Sequence, residues 1–444
     1  MPARPARLRA TLAVAFLAAA IPAAVPVPAA AASVFKVTAV GDNADHDVGD
    51  GICDSDVRPD VTKCTLRAAI QEANHDPDPT TIRFRITVGA SAVKTITPNS
   101  PLPAITQPAT IDGYTQAGSS VNTAATGTNA VIRVELDGRF VTEAGLNALA
   151  PVTIRGLAVF WFGRGIQISA GADGSQVIAN HLGVNAAGTE DRGNDTSGIL
   201  VNAEDVKVGT ILRADRNLVS GNTGAGVNLG ITARRALVQN NLIGTGRNGR
   251  KDLANEGDGV FITGSRGHLI GGTFAAQGNV IGWNNGNGVT LVTVEVDGTP
   301  KVPGAVRVLY NSIFRSGGIA IDLNDDGVTP NDPVPDPDTG PNGRMNFPKI
   351  DNARAEGGAT VVTGRIATRR DIDVLIQLFA SPAGDPEAKT PLASFLLATG
   401  TDGKATFTRS LAALPAGTLI TATATDGQRS ETSEVGPARA VVVP

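Results

Sequence analysis

The chain is short of large anchors and of reactive side chains. Its 444 residues include 2 Trp, 2 Tyr, 2 Met, 2 Cys and 4 His, and aromatics make up only 4%. None of His46, His75, His181 and His268 stands at zinc-binding spacing from another His or Cys, so no zinc site is legible. No G-x-S-x-G elbow supports Ser-His-Asp catalysis. After residue 32 no apolar run is long enough to span a bilayer. Excess positive charge is lacking too. The formal net charge is −4, and it becomes −7 once three N-terminal arginines are removed, which argues against nucleic acid as a partner.

Those arginines, Arg4, Arg7 and Arg9, precede an apolar run from Thr11 to Val27 and the small-residue stretch AAAAS at 29–33. Together they read as a secretory signal over 1–32. The expected product is secreted, extracellular or held at the cell surface, and monomeric. In an exported chain an even cysteine pair so close together, Cys53 and Cys64, reads as a disulfide.

What the chain has in quantity is glycine, 52 residues, arranged periodically. A glycine before an aliphatic pair recurs in GRGIQI, TSGILV, GAGVNL, GDGVFI, GNGVTL and SGGIAI. The recurring glycines are Gly165, Gly198, Gly226, Gly259, Gly288 and Gly318, spaced by 33, 28, 33, 29 and 30 residues. Between them Asn precedes aliphatic residues in NHLG, NLVS, NLIG, NVIG and NSIF. A segment beginning at Asn180 is duplicated 61 residues later. Short β-branched runs at a period near 30 indicate an all-β fold, a right-handed parallel β-helix over 80–345. The glycines and asparagines are expected at left-handed corners.

One segment breaks the pattern. In CTLRAAIQEAN, 64–74, Leu66, Ala69, Ile70 and Ala73 form the stripe of an amphipathic helix, with Arg67, Gln71 and Glu72 on its polar face. A solenoid's first coil needs such a cover, so 33–79 reads as a cap with Leu66 and Ile70 against the open end. With the preceding FKVTAVGDNADHDVGDGICDSD, this segment resembles the CSLREA domain that opens secreted bacterial β-helix proteins. Cys64, Thr65, Leu66, Arg67, Ala69 and Ile70 match, and Ala68 stands where the motif has Glu. The repeats and IDLNDDGVTPNDPVPDPDTGPN are similar to those proteins as well. The resemblance implies a right-handed parallel β-helix at the cell surface or outside the cell, and it implies no reaction.

The six prolines of 329–348 read as a semi-rigid linker. Alternating strands follow, so 346–444 reads as an immunoglobulin-like β-sandwich.

Two acidic strings suit Ca²⁺. DNADHDVGDG at 42–51 offers Asp42, Asp45, Asp47 and Asp50, and DLNDDG at 322–327 offers Asp322, Asn324 and Asp326. The run Phe160–Trp161–Phe162 must turn at least one ring outward, where a sugar could stack. The function expected is a structural or binding role toward polysaccharide, matrix or cell-surface components, without catalysis. The alternative is a polysaccharide lyase or glycoside hydrolase on the same scaffold. Against it, the polygalacturonase series is out of order: Asp325–Asp326 follows Gly267–His268, and no Arg-Ile-Lys exists.

Overall fold

A computed structural model describes residues 33–56, 63–87 and 92–443, so the expected signal over 1–32 lies outside the described residues. Three parallel sheets run the length of the repeat region, with nine, eight and seven strands. They are called A, B and C here, in the order each coil visits them. Sheet A runs from Val34–Val37 to Arg307–Leu309, sheet B from Lys94–Ile96 to Ser312–Phe314, and sheet C from Ala144–Ala148 to Ile321–Leu323. This is a parallel β-helix. Among the described residues, no helix is long and apolar enough to cross a membrane.

The register shows why the repeat stacks. In sheet A, Ile82, Ile111, Ile154, Val177, Val208, Val238, Ile270 and Val308 pair in turn as one inward column. All eight are buried. A side chain of this size contributes roughly 2 kcal/mol when fully buried, and only the stacked coil above and below can bury it.

The recurring polar and small residues serve the stacking differently from expectation. Gly165, Gly198, Gly226, Gly259 and Gly288 do not have positive φ. They are needed for close approach: a Cβ on Gly165 would lie 2.5 Å from the Gly198 carbonyl oxygen, and one on Gly259 2.6 Å from that of Gly288. The recurrent asparagines Asn180, Asn217, Asn241, Asn279 and Asn311 are not in the left-handed region either, although the residue before three of them is. They form a buried ladder. Asn217 Nδ2 donates to Asn241 Oδ1 at 2.8 Å and to the Val177 carbonyl at 2.8 Å, and Asn241 and Asn279 repeat the pattern. A second ladder, Asn194, Asn222, Asn255 and Asn284, lies at another corner.

Both ends are covered. Helix α1, Leu66–His75, starts at Thr65, whose hydroxyl accepts the Ala68 N–H. Leu66 and Ile70 are fully buried in the solenoid core. The strand before the helix, Val34–Val37, already pairs with Thr80–Phe84, so sheet A begins inside the segment read as a separate cap. The Cys53–Cys64 disulfide is formed.

At the other end a three-stranded and a five-stranded antiparallel sheet form a sandwich over 349–440. Ile350, Val362 and Phe407 of one share a core with Val374, Ile376 and Ala422 of the other. The sandwich sits directly on the last coil. The Ile313 N–H donates to the Ala388 carbonyl at 2.9 Å, the Thr432 N–H to that of Val306 at 3.1 Å, and Phe379 joins the solenoid core. The proline-rich stretch is therefore no spacer. Asn342, Met345, Asn346 and Phe347 are buried, and Asn342 Nδ2 bridges the carbonyls of Val306 and Thr432.

Candidate functional site

The two acidic strings fare differently. In the second, Asp322 accepts the backbone N–H groups of Asp326 and Gly327, Asn324 Nδ2 donates to Asp326, and Asp326 pairs with Arg344. These bonds close Asp322, Asn324 and Asp326 into an Asx turn whose side chains partner one another, the backbone and Arg344. In the first, one oxygen each of Asp45, Asp50 and Glu72 lie within 4.8 Å of one another. Asp47 is outside that group. Glu72, on the polar face of α1 by its spacing, is 1% exposed and accepts the N–H groups of Gly49 and Gly51.

Stacking also assembles acids that are distant in sequence. Asn287 donates its N–H to Asp258 and its Nδ2 to Asp322 and Asp325. Burial, opposed by hydrogen bonds and aided by the neighbouring acids, raises Asp258 and Asp322 above the usual carboxylate range. Beside them Glu434, pushed up to about 7 by burial, holds the N–H groups of Leu323 and Thr329. Each of these acids is tied to backbone or amide donors, and Glu434 joins the sandwich to the last coil. His268 and His181 are equally structural. Burial pushes them down to about 3 and about 4, and His268 Nδ1 accepts the Ala236 N–H.

The flank of sheet B is chemically distinct. Phe160 and Phe162 are buried, and Trp161 points outward, 39% exposed, with the guanidinium carbons of Arg139 and Arg192 at 5.1 and 5.4 Å from its ring. Trp161 directly follows a sheet B strand and has φ 59°. Trp283, the other tryptophan, follows the strand Val280–Gly282 with φ 68°, and Arg315 follows Ser312–Phe314 with φ 55°. The Arg315 guanidinium lies 4.2 Å over the Trp283 ring, and the Trp283 Nε1–H donates to the Arg250 carbonyl. The two tryptophan strands are four pairings apart in sheet B, which at about 4.8 Å per coil puts them roughly 19 Å apart along the axis.

Around Trp283 the flank deepens into a groove of about 910 Å³. Arg213, Arg216, Arg250, Arg315 and Lys389 line it with Trp283 and Phe314, and no acid does. Among the described residues none of these five cations forms an ion pair. Arg216 is fixed by oxygens that carry no charge, donating to the carbonyls of Asn240 and Ala125 at 3.0 and 3.4 Å. Burial and the charge of Arg213 lower its pKa. Lys389 lies 4.8 Å over Phe314. The lining residues come from four coils, the 125–127 loop and the sandwich, so no local motif announces the groove. The signal available in sequence was the pairing of an aromatic with arginine at equivalent coil positions.

No protein-family model matches the chain, and no curated protein does. Among solved structures, it is similar to the tailspike protein gp49 from Acinetobacter baumannii bacteriophage Fri1, a capsular polysaccharide depolymerase. The match covers 82% of this chain and 79% of that one at 9% identity, with a TM-score of 0.18. At that score the backbones do not superpose, so the likeness carries no argument, and the β-helix rests on the strand pairing alone.

Proposed function

We propose that this is an exported protein that binds an acidic polysaccharide along the flank of sheet B and does not cleave it. The observation that carries the reading is the groove of five cations without acid partners, set beside Trp283 and Phe314 in a chain of net negative charge. Uncompensated guanidinium groups match carboxylate or sulfate geometry. An aromatic face supplies a platform for a sugar ring, and the neighbouring cations select against neutral glycans. No Asp or Glu lines this groove, so the carboxylate pair that glycoside hydrolysis uses is missing there. The disulfide supports export, and the segment at 35–74 supports reading the first coil as a CSLREA-type cap.

The test is titration calorimetry of the mature protein against a uronic-acid polymer, a sulfated polymer and a neutral glucan, at low and high salt. Binding of the acidic polymers alone, weakened by salt, is expected. Equal binding of the neutral glucan, or none by any acidic polymer, would overturn the proposal.

A further inference from the structure

The loop over 38–56 joins the first sheet A strand to α1, and it wraps around the carboxylate of Glu72. Glu72 Oε1 accepts the Gly49 N–H at 2.5 Å and Oε2 the Gly51 N–H at 2.8 Å, with both glycines in the left-handed region. Asp45, 8% exposed, packs beside it. Its Oδ1 accepts the Asp54 N–H at 2.9 Å, while its Oδ2 is enclosed and has no partner among the described residues. Asp50, exposed, closes the third side. None of the three forms an ion pair among the described residues; the nearby cations Lys63 and Arg67 are matched to Asp56 and Asp42.

Three carboxylates this close, two of them out of solvent, repel one another unless a proton or a cation intervenes. We infer that Asp45, Asp50 and Glu72 form a divalent-cation site for Ca²⁺, tying the loop to the helix that covers the solenoid end. The donor set is oxygen only, as hard cations require. Two ligands on opposite sides of a Ca²⁺ at about 2.4 Å stand about 4.8 Å apart, and the three oxygens lie within that limit. The exposed side at Asp50 leaves room for the waters that complete coordination. Asp47 and the string from Asp322 to Asp326 take no part.

The experiment uses the mature protein stripped with EDTA. Calorimetric titration with CaCl₂ should show one site, and the melting temperature should rise in millimolar Ca²⁺. Asp45→Asn should weaken binding at least tenfold and abolish the thermal gain. Asp50→Asn, at an exposed position that does not threaten folding, should weaken binding as well. Asp322→Asn should leave both measurements as in the unaltered protein. Identical melting in EDTA and Ca²⁺ with no binding heat, or binding undiminished in both Asp45→Asn and Asp50→Asn, would overturn the inference.

Discussion

Arg315 lies over the ring of Trp283, and both occupy left-handed backbone positions one coil apart on the same corner. A bulky residue in that region costs about 1–2 kcal/mol, which glycine avoids. Gly221, with φ 78°, stands at the equivalent register position two coils before Trp283. Strain of this kind persists where the side chain serves something besides folding.

Trp283→Gly should therefore separate the two roles. It relieves the backbone and loses the ring, so stability should change by less than about 1 kcal/mol while affinity for acidic polysaccharide falls about tenfold. Denaturant titration and calorimetry on one preparation read both. A large loss of stability with unchanged affinity would place Trp283 in packing alone.

The pH dependence has a definite sign. Burial first, with Asp385 adjacent, pushes Glu387 up to about 7, and burial with Asp322 adjacent does the same to Glu434. The unfolded chain releases these protons near pH 4.5, so the stability they contribute is present below that value and lost as pH rises through 7. His181 and His268 act oppositely, because their folded values are depressed: their contribution is complete above pH 6.5 and lost as pH falls. Stability should thus decline from pH 6.5 to 8, by up to about 1.4 kcal/mol per unit for each acid still protonated. Urea titrations in EDTA should show the decline flattened in Glu387→Gln combined with Glu434→Gln. A profile that rises over this window would refute the assignment.

The architecture was legible because solenoids repeat. Period, aliphatic pairs and the disulfide can be read locally, and so can the helix that breaks the pattern. The groove was not legible, since Arg216, Arg250, Arg315 and Lys389 are brought together only by coil stacking and by a sandwich that docks where a linker was expected. Glu72 shows the limit of a helical wheel. Its position is polar by periodicity, yet the loop at Gly49–Gly51 folds over it and removes it from water. The glycine row was read correctly as glycine but for another reason, close approach instead of positive φ.

The lid can be tested directly. Ile70 is fully enclosed between α1 and the first coils. Ile70→Asp buries an unpaired charge or exposes the sheet ends, so the variant should aggregate or lose on the order of 3–5 kcal/mol. Reducing Cys53–Cys64 should cost about 3 kcal/mol by the loop-entropy estimate. Light scattering and denaturant titration measure the two effects, and a monodisperse, fully stable Ile70→Asp protein would refute the lid.

The last expectation is that no uronic-acid polymer is cleaved. Hydrolysis of a glycosidic bond needs two carboxylates about 5–9.5 Å apart across it. Asp385 and Glu387 border a separate cavity of about 660 Å³ between the last coil and the sandwich. They accept the N–H groups of Arg315 and Ser316 and so hold the corner that carries Arg315. Asp258, Asp322 and Asp325 do converge across coils, and Asn287 occupies the space between them. The groove that suits an acidic polymer contains no such acid. Incubation with pectin, alginate and related polymers, with and without Ca²⁺, should release neither reducing ends nor unsaturated products. Turnover that disappears in Glu387→Gln or Asp258→Asn would show that one of these acid clusters is catalytic, and the binding reading would then be wrong.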